Sequence, residues 1–161
     1  MSKRKGKTKE LRDELEDFFS STLAERAAQG LSSAACIALH IDATNVFFTR
    51  VDKKNFLITE FTGNPDLHFW IPEVTMRHFI AIGCSDGTSL GTMGVSIFEH
   101  IVSQDESRKV KFKVEANFLT LWSKGYFSVL KAGGPEVASF LTRWGLDSAS
   151  KIGKLLNQMR R

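Results

Sequence analysis

The sequence predicts one globular domain in which amphipathic helices pack on a β-sheet. Three observations support this prediction. Apolar and polar residues alternate through much of residues 36–61, as in strands that are buried on one face. Apolar residues recur every three or four positions in 8–29 and again in 90–101, as in helices. A chain of 161 residues is long enough to bury one substantial core, so we expect a single domain over residues 1–161.

The first half of the chain predicts a helix and then four strands. The helix spans 8–29 and ends at Gly30. Alternating segments at 36–41, 46–51 and 56–61 predict strands, and the short polar connection 52–55 makes the last two a hairpin. A fourth strand over 67–71 directs three residues to the helix-covered face, while His68 points away; the three are Leu67, Phe69 and Ile71.

The second half predicts helices interrupted by strands. Pro72 opens a helix that ends near residue 82, and 90–101 forms a second helix. The segment 109–115 alternates as a strand, with Val110, Phe112 and Val114 buried and its lysines exposed. The rest of the chain predicts a short helix at 118–122 and then a strand at 126–131. A helix opened by Gly133-Gly134 and ended by Gly145 follows, and a last helix is capped by Asp147.

Positive charge is concentrated at the two ends of the chain. Seven of the 22 lysine and arginine residues lie in the terminal segments, namely Lys3, Arg4, Lys5, Lys7, Lys9, Arg160 and Arg161. The rest of the chain therefore carries 15 cationic and 18 acidic residues. We expect residues 1–9 to be a flexible basic terminus, and the alternative is attraction to anionic lipid or nucleic acid. Neither a secretory signal nor an apolar run of membrane-spanning length is found, which predicts a soluble, cytoplasmic protein. Cys36 and Cys84 are expected to be buried free thiols.

No motif for catalysis or cofactor binding is found. The four histidines lie on different predicted elements, without metal-ligand spacing. No phosphate-binding loop or nucleophile elbow occurs, and the Gly91–Gly94 pair lies inside a helix rather than between strand and helix. We therefore expect no enzyme activity, no catalytic residues, no metal site and no cofactor.

A set of large apolar side chains on the predicted helices has two interpretations. Core packing accounts for most of them at this chain length, and a cavity for a lipid tail is the alternative. The predicted ligand-binding residues are Met76, Phe79, Met93, Ile97, Phe98, Phe118, Trp122, Phe140 and Trp144.

Two short units give the sequence a resemblance to the sterol carrier protein 2 (SCP2)-like family. The first is Pro65-Asp66 followed by a strand and a helix, and the second is the predicted strand enclosed by Gly125 and Gly133. The resemblance implies an α+β fold with a mainly antiparallel sheet of about five strands, one face covered by helices. Relative to the family, residues 88–122 form an inserted helix and strand. The family holds lipids in an apolar tunnel between sheet and helices.

The resemblance favours a non-enzymatic lipid-binding or lipid-carrier protein for a sterol, fatty acyl or similar apolar ligand. Burial of apolar surface would drive binding. The alternative is a protein-interaction module whose apolar groove accepts a partner helix without a small-molecule ligand. We also expect transient contact of the basic N-terminus with anionic membrane, and no specific nucleic acid.

Overall fold

A computed structural model describes residues 2–146, 150, 151 and 154, with side chains from residue 10 onward. Its elements in chain order are α1 (Ser2–Phe19), α2 (Thr22–Ala27), β1 (Cys36–Ile41), β2 (Thr44–Val51), β3 (Lys54–Ile58), β4 (Leu67–Trp70), α3 (Glu73–Gly83), α4 (Leu90–Ile101), β5 (Lys111–Val114), α5 (Phe118–Ser123), α6 (Tyr126–Ala132) and α7 (Gly134–Arg143). The side chains of residues 1–9 lie outside the described residues, as do Asp147 and most of the predicted last helix; residues 150, 151 and 154 of that helix are helical.

The five strands form one sheet in the order β3-β2-β1-β4-β5. The pairs β1–β2, β2–β3 and β4–β5 are antiparallel, and the central pair β1–β4 is parallel. The fold is therefore α+β with a mainly antiparallel sheet packed against helices, as predicted.

The β2–β3 connection is shorter than the predicted segment 52–55. Val51 pairs directly with Lys54, so only Asp52 and Lys53 form the turn. Both have positive φ, at 50° and 66°. This backbone conformation lets a two-residue turn match the twist of the flanking strands. The strand β3 accordingly begins and ends earlier than the predicted strand 56–61.

The first predicted helix is divided into two. The helix α1 ends at Phe19, and Ser21 then caps α2 by accepting a hydrogen bond from the backbone N–H of Ala24 at 3.3 Å. The Ser21 hydroxyl also donates to the carbonyl oxygen of Phe18 at 2.6 Å. Serine side chains compete in this way with the helical backbone, which explains the break at 20–21 inside an otherwise periodic segment.

The predicted strand at 126–131 is wrong, because this segment is the helix α6. Gly125, at φ 86°, provides the left-handed turn that precedes α6. Tyr126 and Val129 both pack against the core, at the three-residue spacing of one helix face. The run contains apolar residues at positions that fit either periodicity, so the alternation was misleading. The second of the two units that carried the family resemblance is therefore not a strand.

The predicted side-chain directions are confirmed for Phe69, Ile71, His68, Val110 and Val114, whereas Leu67, which was expected to face the helices with Phe69 and Ile71, is half-buried. Phe69 packs against the core and Ile71 is part of it, whereas His68 forms ring contacts with His40 and Trp70 away from the core. In β5 and just before it, Val110 and Val114 are fully buried, Phe112 is half-buried, and Lys111 and Lys113 are exposed; Lys109, expected to be exposed, is half-buried.

The two cysteines differ from each other. Both are free thiols; Cys36 is buried as expected, whereas Cys84 is exposed. Cys84 follows the last residue of α3 and begins the loop to α4. The sequence placed it next to an apolar helix, but helix geometry gives its side chain no place in the core.

Candidate functional site

An apolar layer fills the space between the sheet and the helices. Met76 and Phe79 of α3 and Met93 of α4 are buried in the main core cluster, and Ile97 packs against that cluster while half-buried. The sheet contributes apolar side chains from its helix-covered face, namely Leu39, Ile41, Val46 and Phe48. Four of the nine predicted ligand-binding residues are therefore brought together here.

The other five predicted residues lie in two further groups. The Phe98 ring of α4 stacks on Phe140 of α7 with 5.9 Å between centroids, and the Phe140 ring lies 6.3 Å from that of Trp144. Phe118 and Trp122 of α5 pack against each other. Phe140 is buried, whereas Trp122 and Trp144 are 54% and 55% exposed. The nine residues thus do not line a single continuous surface.

Glycines bring α4 and α7 unusually close. A Cβ on Gly91 would lie 2.8 Å from the carbonyl oxygen of Gly133, and a Cβ on Gly94 would lie 2.7 Å from a methyl group of Val137. Such distances leave no room for a side chain or a ligand. The Gly91–Gly94 pair, which failed the dinucleotide-binding pattern, is explained by helix packing.

The apolar layer is incompletely covered near the β4–β5 edge of the sheet. Phe69 and Phe112 face the helix side and stack with 5.8 Å between ring centroids, yet both are only half-buried. Ile97 and Ile101 of α4 are half-buried as well. Since side chains between a sheet and its covering helices are ordinarily buried, these four half-buried side chains (Phe69, Ile97, Ile101 and Phe112), which we call the apolar opening, are among the residues of the layer that solvent can reach.

A buried polar cluster lies beside the layer and is centred on Asp66, which is 4% exposed. Its carboxylate accepts hydrogen bonds from Lys124 Nζ at 2.7 Å and from the Tyr126 hydroxyl at 2.7 Å. A third bond, of 3.0 Å, comes from the backbone N–H of Cys36. The Asp66 cluster (Cys36, Asp66, Lys124 and Tyr126) therefore joins β1 and β4 to α6 and the residue that follows α5.

Within the Asp66 cluster, the Cys36 thiol and the Tyr126 hydroxyl are kept protonated. Burial, and then the adjacent Asp66 carboxylate, raise the pKa of the Cys36 thiol to about 11, although Lys124 acts in the opposite direction. Burial and the hydrogen bond to Asp66 raise the pKa of Tyr126 above its ordinary value. A protonated, buried thiol is a poor nucleophile, and a hydroxyl that already donates to Asp66 is poorly suited to act as a general acid. The arrangement is suited to holding α6 on the sheet.

The four histidines meet in two pairs. Nε2 of His40 lies 3.0 Å from Nδ1 of His68, and both rings stack with Trp70 on the sheet face away from the core. His78 and His100 lie with ring centroids 5.4 Å apart. The other ring nitrogen of His68 faces Glu115 at 3.8 Å. Within residues 10–146, no three potential metal-ligating side chains are grouped so that they could hold an ion.

The sequence did not predict the Asp66 cluster or the His40–His68 contact. Asp66 was assigned to the Pro65-Asp66 motif and otherwise expected to have a surface or capping role, because nothing in the sequence showed that Lys124 and Tyr126, about sixty positions away, would reach it. The predicted register did place His68 on the face away from the core, but it made no prediction for His40. It is the parallel pairing of β1 with β4 that makes His40 and His68 neighbours.

The fold and the layer define the class of this protein: an α+β domain with a five-stranded, mainly antiparallel sheet covered on one face by helices. No family model and no curated protein match the sequence. Among solved structures, the chain is similar to the UbiJ-SCP2 ubiquinone synthesis protein. The match has 8% identity and a TM-score of 0.43, and it covers 81% of this chain and 97% of that chain. No residue role is carried over from it. In the described part of the chain, no helix has the length and apolar content needed to span a membrane.

Proposed function

We propose that the protein is a non-enzymatic lipid-binding or lipid-carrying protein that holds a sterol, fatty acyl or similar apolar ligand between sheet and helices. The observation that supports this most directly is the apolar opening formed by Phe69, Ile97, Ile101 and Phe112. A ligand that covered these half-buried side chains would remove apolar surface from water, which contributes about 25 cal/mol per Å². The expected location is the cytoplasm.

The side chains behind the opening suit a ligand of variable shape. Met76 and Met93 are unbranched and flexible, so they can adjust to different acyl chains without a rigid pocket. The buried carboxylate beside the layer, that of Asp66, is already satisfied by Lys124 and Tyr126. Recognition would therefore depend on apolar contact and shape rather than on an ionic head-group partner.

A direct test is the titration of the purified protein with a fluorescent fatty acid analogue and a fluorescent sterol analogue. We expect saturable binding to at least one of them. The variant Ile97→Glu should weaken binding by about tenfold or more, because it places a charge in the apolar opening. Phe140 and Met93 are less suitable positions, since both are buried and a charge there would threaten folding.

The matched control is Val74→Glu, which adds the same charge to a position on α3 that is exposed. It should bind like the wild type, and circular dichroism should confirm that both variants are folded. Native mass spectrometry of the wild type would identify any lipid that co-purifies. Absence of saturable binding for both analogues, with no co-purifying mass, would contradict the proposal and favour the interaction module.

A further inference from the structure

The short helix α5 carries the most exposed large apolar side chain in residues 10–146. Leu119 is 77% exposed and Trp122 is 54% exposed, while Leu121 of the same short helix is buried. Leu119 and Trp122 are three positions apart and so lie on one face of α5. An apolar face turned to solvent in this way is typical of a surface that binds a partner.

Aromatic packing holds this surface in place. The Phe127 ring of α6 lies 5.2 Å from that of Phe118 and 5.3 Å from that of Trp122. The backbone N–H of Ser32 donates to the carbonyl oxygen of Lys124 at 2.9 Å, which ties the segment after α2 to the α5–α6 connection. We call Phe118, Leu119, Trp122 and Phe127 the α5–α6 patch.

Negative charge is excluded from the segments around the α5–α6 patch. The chain has 18 acidic residues in 161, yet residues 116–135 contain none and neither do residues 26–41, which meet them at Ser32. The cations in these segments are Arg26, Lys124 and Lys131. The nearest buried carboxylate, Asp66, is paired with Lys124. Exposed leucine and tryptophan beside segments that carry the exposed cations Arg26 and Lys131 and no acid match the interface of an anionic bilayer.

We infer that the α5–α6 patch docks on anionic lipid bilayers, with Leu119 and Trp122 inserted at the level of the head groups. The observations favour a bilayer over a second copy of this chain. A symmetric contact between two identical patches would bring together two copies of the same segments, which carry cations such as Lys131 and contain no acid. The docking does not depend on the proposed carriage of a ligand.

The test uses a full-length variant, Trp70→Phe with Trp144→Phe, in which Trp122 is the only tryptophan left. Vesicles of phosphatidylcholine and phosphatidylglycerol should shift the Trp122 emission to the blue, and brominated acyl chains should quench it. In the same background, Leu119→Glu should lower partitioning by about tenfold or more, since it removes apolar contact and adds a negative charge. Lys131→Gln should lower it by about fivefold on these vesicles and have little effect on phosphatidylcholine alone.

The matched control is again Val74→Glu, which should leave partitioning within about twofold of the parent, because surface changes away from the contact have little effect. Equal losses in Leu119→Glu and Val74→Glu would overturn the inference, as would the absence of any blue shift.

Binding that persists in Leu119→Glu but disappears at high salt would assign the contact to the basic N-terminus instead. If Trp122 is shielded from solvent before vesicles are added, and if Leu119→Glu dissociates a dimer, then a second copy of the chain covers the patch. Ligand titration of Leu119→Glu should match the wild type, so failure of the docking is separable from failure of lipid binding.

Discussion

Asp66 connects four parts of the chain through one residue. Its carboxylate binds Lys124, Tyr126 and the backbone of Cys36, while its own carbonyl oxygen accepts from the N–H groups of Glu115 and Ala116. In the sequence the residue follows Pro65 at the start of a predicted strand, and nothing there marks it as buried. Its role as a connection depends on contacts that no local pattern encodes.

The first prediction concerns removal of this carboxylate. Asp66→Ala should lower the free energy of unfolding by about 3 kcal/mol, because it leaves Lys124, Tyr126 and a buried N–H without their acceptor. Urea denaturation would measure the change. Asp86→Ala, on an exposed loop, is the control and should lie within about 0.5 kcal/mol of the wild type. A loss below about 1 kcal/mol for Asp66→Ala would mean that the Asp66 cluster does not hold α6 on the sheet.

The second residue-scale prediction is a pH dependence. The Asn45 side-chain oxygen lies 2.8 Å from Nδ1 of His40 and can only accept, so Nε2 of His40 accepts from Nδ1–H of His68. Burial, and then the neighbouring His40, lower the pKa of His68 below 6.5, with Lys113 acting the same way and Glu115 opposing it. The unfolded chain therefore takes up this proton at higher pH than the folded protein. The stabilising effect of neutral His68 is present above about pH 6.5 and is lost as the pH falls toward the lower folded pKa.

Thermal melting would measure this effect. The fall in Tm between about pH 7.5 and about pH 5 should be smaller in His68→Gln than in the wild type, because the variant lacks the titrating group. His78→Gln, which removes a histidine outside the His40–His68 pair, is the control. Equal reductions in the two variants would indicate a general effect of losing a histidine and would contradict the assignment to His68.

At the scale of elements, the α4–α7 pair depends on glycines that sequence reasoning treated as a failed motif. Replacing a helical glycine by alanine ordinarily stabilises a helix by about 1 kcal/mol. Gly91→Ala should do the opposite, because the new Cβ would meet the carbonyl oxygen of Gly133, which is backbone and cannot turn aside. Overpacking of this kind destabilises by about 1–3 kcal/mol.

This third prediction is checked by thermal melting of Gly91→Ala against Glu99→Ala. Glu99 is exposed on the same helix, so its replacement should change stability by no more than about 0.5 kcal/mol. An increase in Tm for Gly91→Ala would show that α4 and α7 can separate without loss, and that their close approach is not required.

The elements also show where sequence reasoning succeeds. The strand β5 was predicted from unbroken alternation of valine or phenylalanine with lysine or glutamate, a pattern that only a half-buried strand satisfies. The segment 126–131 was misassigned because its apolar residues fit two periodicities at once. There, Gly125 at positive φ precedes a helix instead of a strand, and the contacts of α6 with α2 are not local information.

For the whole molecule, the fold class and one covered face of the sheet were predictable, whereas the order of strands was not. The meander β1-β2-β3 follows from short connections, but the parallel pairing of β1 with β4 joins residues about thirty positions apart. The ligand-binding set was predicted from large apolar residues on the predicted helices. The structure separates it into three groups because α5 and α7 carry part of their aromatic surface outward.

The parallel β1–β4 pair also determines when the sheet can close during synthesis of the chain. The strands β1, β2 and β3 are made first and can pair as they leave the ribosome, which leaves one edge of β1 with free N–H and C=O groups. That edge remains unpaired until Leu67–Trp70 has been translated, and β4 in turn waits for β5. A nascent chain interrupted between residues 58 and 67 would therefore present an open apolar strand, the kind of edge that pairs with other chains and that chaperones protect.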